Sequence, residues 1–263
     1  MYAFNYQKPV SVADAVKAMA GDAKALAGGM TLIPTMKQRL AQTGTLVDLG
    51  GLSELRGIHV SKDSIGIGAL TTHADVAASA EVRRAIPALA ALAGGIADPA
   101  VRNRGTIGGS IANNDPAADY PAGVLALGAT IVTNKRQIPA DQFFTGLFST
   151  ALEPGELITA IGFPIPQKAG YSKFEQRASR YALVGVFVAQ MASGVRVAVT
   201  GAGSGGVYRS AELEKALAGS FTADAAKAVA LGPKGMLADI HAAADYRAAL
   251  VSIVASRAVT AAG

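Results

Sequence analysis

Two pairs of adjacent glycines, Gly28-Gly29 and Gly108-Gly109, place the strongest constraint on how this chain folds. Glycine has no Cβ atom, so its backbone can adopt positive φ values and can approach another backbone or a ligand closely. Successive backbone N–H groups at such a turn form a binding site for an anion. One glycine pair alone is typical of an ordinary tight turn. Two glycine loops in one domain that are both flanked by hydroxyl side chains indicate a site for a ligand that contains a diphosphate, such as a dinucleotide.

Hydroxyl side chains flank both glycine pairs and extend this prediction. Thr31 follows the first pair, and Thr106 and Ser110 enclose the second. Neither stretch is a Walker loop, because the G-K-[ST] ending is absent. Asp119 follows the second pair and is either a helix cap, a surface residue or an acceptor for hydroxyl groups of a ribose or polyol. Tyr181 is either a core residue or a platform for a planar ligand.

The composition excludes several classes of protein. The chain has 263 residues, of which 51% are hydrophobic and 16% charged, and it has no cysteine. Such a chain is long enough for two domains or one large one, and it is too apolar to be disordered. Without cysteine it cannot hold a disulfide, a thiol nucleophile, a cysteine-ligated zinc ion or an iron–sulfur cluster. A cysteine-free chain is consistent with the cytoplasm.

The net charge of +5 is spread along the chain. No run reaches the roughly five or six like charges that mark a basic tail. We therefore predict no nucleic-acid partner, and interpret the charge as a solvated surface or one that suits an anionic ligand. The first ten residues do not resemble a signal peptide, and no apolar stretch reaches the roughly 18 residues that a membrane span needs.

The pattern of apolar residues predicts an α+β fold. Ser11 begins a helix with an S-x-x-D capping box, and Gly21 ends it. A helix or helical turn is predicted at residues 32–42 and one continuous helix at residues 81–93, whereas residues 98–111 are predicted to be a loop. Residues 181–192 are apolar without a clear period and fit either a helix or a strand. The proline- and glycine-rich segment at residues 164–170 predicts a boundary between a larger and a smaller part.

A third glycine-rich segment, residues 201–206, fits the G-x-G-x-x-G pattern but is predicted to be a simple turn. A Rossmann site requires a helix that begins within the motif, whereas the next helix here is predicted from Ser210. Catalytic motifs are also lacking. The three histidines, His59, His73 and His241, do not have the spacing of a metal site, and no G-x-S-x-G elbow is present. We predict no metal site and a structural role for His73.

Four stretches resemble the FAD-binding (medium) subunit of molybdenum hydroxylases, the group that includes aerobic carbon monoxide dehydrogenase and xanthine dehydrogenase. The resemblance covers essentially the whole chain, and its second and third stretches together are specific. The stretches are AGGMTL at residues 27–32, IGALTTH at 67–73, IADPAVRNRGTIGG at 96–109 and DPAADYP at 115–121.

The resemblance implies a fold and a cofactor. The fold would be a vanillyl-alcohol-oxidase (PCMH)-type FAD-binding domain at residues 1–165, with subdomains at about 1–56 and 57–165, followed by a small C-terminal α+β domain at residues 166–263. FAD would be bound non-covalently, with its diphosphate and ribityl chain between the two glycine stretches and Tyr181 against the isoalloxazine. The implied FAD-binding residues are Ala27, Gly28, Gly29, Met30, Thr31, Leu32, Thr72, Thr106, Ile107, Gly108, Gly109, Ser110, Asp119 and Tyr181.

The resemblance also implies an activity and partners. The chain would be an electron-transfer subunit of a cytoplasmic oxidoreductase, a dimer of heterotrimers. A large molybdopterin subunit would oxidise the substrate, and iron–sulfur clusters of a small subunit would pass electrons to the FAD. Two alternatives remain open at this stage: a stand-alone flavin or nucleotide-binding module, and a structural subunit that has lost FAD. Arg180 departs from the family pattern, because many relatives have aspartate there, and Met30 replaces a residue that is often polar.

Overall fold

Helices and strands are mixed along residues 1–263, all of which the computed structural model describes, and the fourteen strands form four sheets. The architecture is α+β, as predicted. The strands are β1 Asn5–Gln7, β2 Ala23–Leu26, β3 Thr45–Asp48, β4 Ile58–Val60, β5 Ser64–Gly68, β6 Thr130–Thr133, β7 Gln137–Pro139, β8 Phe144–Gly146, β9 Ser149–Thr150, β10 Ile158–Pro164, β11 Lys168–Glu175, β12 Ala182–Met191, β13 Gly194–Thr200 and β14 Tyr208–Arg209. The helices are α1 Val12–Ala18, α2 Leu32–Lys37, α3 His73–Ala78, α4 Ala80–Ala85, α5 Pro87–Gly94, α6 Pro99–Arg102, α7 Ile107–Asn113, α8 Tyr120–Ala126, α9 Ala140–Phe143, α10 Ala211–Gly219, α11 Ala223–Lys227 and α12 Ala244–Ala261.

The first sheet is small and parallel, with strand order β1-β3-β2. Parallel neighbours need a crossover connection, and α1 and α2 provide it. The predicted capping box is present, since Ser11 Oγ accepts a hydrogen bond from the Asp14 N–H at 3.1 Å and donates one to the Asp14 carboxylate. Helix α1 and this sheet share a small apolar cluster, which includes Ala15 of α1 and Val47 of β3.

The second sheet is antiparallel, with strand order β4-β5-β10-β6-β7. Its buried side chains belong to the largest apolar core, which contains 31 buried residues and includes side chains of α3, α4, α5, α7, α8 and α9. On β5, Ile65 and Ile67 point into this core and alternate with glycines. Gly68 is required at the end of β5 because a Cβ atom there would lie 2.5 Å from the Leu55 carbonyl oxygen.

The third sheet is antiparallel, with strand order β11-β12-β13-β14. Helix α12 covers β11 and β12 on one face, while α5 and α8 from the preceding part of the chain contact the other. Strand β12 is therefore buried at nine of its ten positions. A strand that is buried on both faces has no alternating pattern, which is why the sequence did not distinguish strand from helix at residues 181–192.

Three sequence predictions are wrong in detail. Helix α2 ends at Lys37, because Arg39 adopts a left-handed φ of 61°. The single helix predicted at residues 81–93 is two helices, since Ile86, which precedes Pro87, is forced out of the helical conformation. The predicted loop at residues 98–111 contains α6 and α7, which begin after the caps Asp98 and Thr106.

The turn predicted at residues 201–206 is confirmed, and the next helix, α10, begins after its cap Ser210. The three larger sheets occupy residues 5–48, 58–164 and 168–209 in turn. The two small strands β8 and β9 form a separate hairpin. None of the helices is both long and apolar enough to cross a membrane.

Candidate functional site

A cavity of about 650 Å³ lies between segments of all three large sheet regions. This volume is within the range of about 300–1,000 Å³ that small-molecule and cofactor sites occupy. Twelve of the fourteen residues predicted for the site line it, while Thr72 and Ile107 do not. The twelve are Ala27, Gly28, Gly29, Met30, Thr31, Leu32, Thr106, Gly108, Gly109, Ser110, Asp119 and Tyr181.

The first glycine segment, residues 27–32, offers a row of free hydrogen-bond donors. None of its six backbone N–H groups donates to an acceptor within the protein. Gly29 has a φ of +73°, which turns the chain between β2 and α2. Gly28 lies directly against the backbone of the neighbouring segment, since a Cβ atom there would overlap the Arg104 carbonyl oxygen. The segment thus forms a cradle of N–H groups that is suited to an anion.

The second glycine segment has a different role from the one predicted. Gly108 lies in the first turn of α7, and its N–H donates to the Ala69 carbonyl at 2.9 Å. A Cβ atom on Gly108 would lie 2.6 Å from the Ala69 Cβ, so the glycine is needed for packing. The Ile107 N–H donates to Thr71, and the Gly109 N–H to Thr106 Oγ1. The expectation that these N–H groups are free to bind a diphosphate is therefore wrong.

Among the residues that α7 contributes to the cavity lining is Ser110, whose hydroxyl makes no hydrogen bond within the protein. The other two predicted residues of this region face elsewhere. The side chain of Ile107 is fully buried in the main core. The Thr72 hydroxyl accepts from the Asp75 N–H and caps α3, which explains its place outside the cavity lining.

Asp119 lies at the edge of the cavity and is 4% exposed. Its Oδ1 accepts a hydrogen bond from the Tyr171 hydroxyl and forms an ion pair with Lys173 Nζ at 3.0 Å. Its Oδ2 accepts none within the protein. Burial raises the pKa of Asp119 by more than Lys173 and Tyr171 lower it. The carboxylate thus pairs with Lys173 through one oxygen, while its other oxygen has no hydrogen-bond partner within the protein.

Lys173 is a residue that the sequence analysis missed. Its side chain is 9% exposed, and Nζ also donates to the carbonyls of Gly95 at 2.9 Å and Arg180 at 2.7 Å. It therefore joins β11, the end of α5 and the segment before β12 at one point. Nothing in the local sequence marks this lysine, because its partner Asp119 lies 54 positions earlier in the chain.

The segment at residues 178–181 closes one side of the cavity. Arg180 has a φ of +60°, which costs a non-glycine residue about 1–2 kcal/mol. The next residue, Tyr181, is 47% exposed and is the only tyrosine, phenylalanine or tryptophan of the lining. The aromatic ring is therefore available to a ligand, which favours the platform role over the core role.

His73 also lines the cavity and is 5% exposed. Burial, aided by the charge of Arg102, lowers the pKa of His73 to about 4, so the imidazole is neutral at pH 7. Its Nδ1 and the hydroxyl of Tyr120 are buried without a hydrogen-bond partner, and the two rings lie 5.3 Å apart. The ring also blocks any side chain at Gly105, which supports the predicted structural role.

The chain belongs to a known family of cofactor-binding domains. The family model described as the FAD binding domain in molybdopterin dehydrogenase matches residues 2–166. The chain is 37% identical to the carbon monoxide dehydrogenase medium chain of Hydrogenophaga pseudoflava, over 98% of this chain and 96% of the relative. It is 36% identical to the nicotine 6-hydroxylase medium subunit of Paenarthrobacter nicotinovorans, over 99% of this chain and 98% of the relative.

A solved structure extends the similarity to the fold. The carbon monoxide dehydrogenase of Hydrogenophaga pseudoflava, in a form that lacks the Mo-pyranopterin moiety, contains a chain that matches with a TM-score of 0.88 at 38% identity. The match covers 99% of this chain and 97% of the other. The resemblance found in the sequence is confirmed, and with it the vanillyl-alcohol-oxidase (PCMH) type of FAD-binding domain. The chain is an FAD-binding subunit of the medium type, a component of an oxidoreductase.

Proposed function

We propose that this chain holds one non-covalent FAD in the cavity described above and passes electrons through it. The electrons would come from the iron–sulfur clusters of a small subunit and leave to an external acceptor. A large molybdopterin subunit would oxidise the substrate, and two such heterotrimers would form a cytoplasmic complex. The observation that carries the proposal is the row of six unpaired N–H groups at residues 27–32.

The residues that line the cavity have the chemical groups that FAD requires. The N–H groups of residues 27–32 suit the diphosphate, because they are donors and have no other partner. Ser110 Oγ and Asp119 Oδ2 are suited to hydroxyl groups of the ribityl chain or ribose. Tyr181 provides a ring against which a flat isoalloxazine can stack. We propose these residues, rather than the N–H groups of Ile107 to Gly109, as the FAD contacts.

A bound FAD supplies the electron transfer, because it can accept and donate electrons singly or in pairs. The chain's own residues bind the diphosphate, orient the ring and exclude water from the cavity. With the proposed domain boundaries at about residues 56 and 165, each of the three parts of the chain contributes residues to the cavity lining. The stand-alone alternative has no support from a specific observation, since relatives over nearly the full length are medium chains.

The experiment is the visible absorption spectrum of the chain after addition of FAD and desalting, and of the tagged chain purified with its cellular partners. We expect flavin bands near about 370 and 450 nm at one FAD per chain, together with a cluster-containing and a molybdenum-containing subunit. Gly28→Ala should lose FAD, because its Cβ displaces the N–H cradle from Arg104. Gly205→Ala is the control, since nothing lies within 4 Å of its Cβ.

Two results would contradict the proposal. The first is a chain that carries no FAD either alone or with its partners. The second is a Gly28→Ala variant that binds FAD as tightly as the wild type, with an unchanged circular dichroism spectrum. That second result would place the diphosphate away from residues 27–32.

A further inference from the structure

Arg180 is one of the residues that line the cavity, and it combines an uncommon backbone conformation with a charged side chain. It is one of five non-glycine residues with a positive φ, and the only one of them that carries a positive charge and lines the cavity. Left-handed backbone is rare in long side chains, and it persists only where surrounding contacts hold it. The conformation therefore needs a physical explanation.

The short hydrogen bonds that hold Arg180 are made by its backbone. Its N–H donates to the Gln176 carbonyl at 2.7 Å, and its carbonyl accepts from Lys173 Nζ at 2.7 Å. The Gln176 N–H in turn donates to the Tyr181 carbonyl at 2.9 Å, which closes the turn. Lys173 is itself fixed by its buried ion pair with Asp119. The fold thus sets the direction of the Arg180 side chain through a chain of hydrogen bonds that begins in the core.

The positive charge of Arg180 is not neutralised within the protein. Its guanidinium forms no ion pair with a carboxylate, and its one hydrogen bond runs from Nη1 to the Ala97 carbonyl at 3.5 Å. A guanidinium has five N–H donors, so most of them have no partner.

Other charges of the cavity lining are already engaged or lie on other segments. Asp119 is paired with Lys173, and Glu156 with Arg136. Asp98 and Asp115 each accept a backbone N–H, and the remaining cation of the lining is Lys24 on β2.

We propose that Arg180 raises the reduction potential of the bound flavin by placing this positive charge beside the isoalloxazine. The inference rests on the proposed FAD site, in which the neighbouring Tyr181 faces the same ring. Two-electron reduction of a neutral isoalloxazine takes up two electrons and one proton and leaves one negative charge on the ring. A nearby cation stabilises that charged product more than the neutral oxidised form. The electrons come from the iron–sulfur clusters of the proposed partner, which are oxidised by the same number.

The test compares reduction potentials of FAD-loaded variants, measured by titration against a reference dye. At the potential where half of the wild-type flavin is reduced, Arg180→Gln should show a reduced-to-oxidised ratio on the order of tenfold lower, equivalent to about 30 mV for a two-electron couple. Arg180→Lys keeps the charge and should stay close to the wild type. Arg177→Gln is the matched control, because Arg177 is exposed on the same segment and does not line the cavity.

Arg180→Asn is a second neutral variant, since asparagine tolerates the left-handed backbone, and it separates loss of charge from loss of the turn. Unchanged potentials in both neutral variants would overturn the inference. So would a weaker affinity for FAD with an unchanged potential, which would assign Arg180 to the diphosphate. A wild-type chain that binds no FAD would instead refute the proposed function, so the two failures are distinguishable.

Discussion

Replacement of Lys173 by methionine tests whether one buried ion pair holds the walls of the cavity together. Lys173 and Asp119 have side chains that are 9% and 5% exposed, and Nζ has two further carbonyl partners. Methionine preserves most of the side-chain volume but leaves the Asp119 carboxylate buried without its cation. Removal of one partner of a buried pair costs about 3–5 kcal/mol of unfolding free energy. For a chain of this size that corresponds to a fall in melting temperature on the order of 10 °C.

The pH dependence of this loss has a definite sign. Burial already raises the pKa of Asp119 above its ordinary value, and removal of Lys173 raises it further. A carboxyl group whose pKa is higher in the folded state than in the unfolded state destabilises the fold when the pH is above the folded pKa. This destabilisation disappears when the pH falls below the unfolded pKa of about 3.9. The deficit of Lys173→Met relative to the wild type should therefore be largest at neutral pH and shrink as the pH falls.

The assay is urea unfolding followed by circular dichroism at pH 7 and pH 5, for both single variants and for the double variant Asp119→Asn/Lys173→Met. We expect the double variant to be more stable than the sum of the two single losses, because it contains no uncompensated charge. Strict additivity, or a Lys173→Met deficit that grows on acidification, would refute the reasoning.

Three further predictions concern other parts of the molecule. Gly108→Ala should lower the unfolding free energy by about 1–3 kcal/mol, since its Cβ would lie 2.7 Å from the Ala69 carbonyl oxygen, and equal stability to the wild type in urea would disprove this packing role. Hydrogen bonding from Arg136 lowers the pKa of Glu156 to about 2, so its contribution is present above pH 4.5 and is lost as the pH falls to about 2. Glu156→Gln should thus be about 2–3 kcal/mol less stable at pH 7 and equal to the wild type near pH 2 in acid unfolding curves. Tyr181→Ala should retain FAD but change the rate of flavin reoxidation, and an identical stopped-flow trace would remove Tyr181 from the site.

Local chemistry explains what the sequence could predict. Ser11 with Asp14 forms its capping box within one turn, and the turn at residues 201–206 follows from the place of Ser210 as the next cap. The same rules could have found α6 and α7, because Asp98-Pro99 and Thr106 are cap positions. The glycine pair at 108–109 concealed α7, since glycine in a helix usually signals a break.

Long-range packing explains what the sequence could not predict. Gly108 is a glycine because Ala69, which is distant in sequence, lies against it, so one motif that looks like a ligand loop is a packing contact. The pairing of Lys173 with Asp119 likewise depends on residues that are far apart along the chain, and Lys173 in turn holds the strained turn at Arg180. A single sequence does not show which residues that are far apart along the chain are in contact. The hydrogen-bond donors of residues 27–32 are contiguous in the sequence, so this segment could be recognised.

The cavity draws its walls from segments that are far apart along the chain, and this has a thermodynamic consequence. A ligand that contacts residues 27–32 and residues 178–181 together binds only when both segments are in place, so its free energy of binding adds to the stability of each. At a free ligand concentration of 100 times the dissociation constant, this linkage contributes about 2.7 kcal/mol. Proteolytic cleavage at the exposed segment 177–181 should then slow as the cofactor concentration rises, which makes loading of the subunit a determinant of its lifetime in the cell.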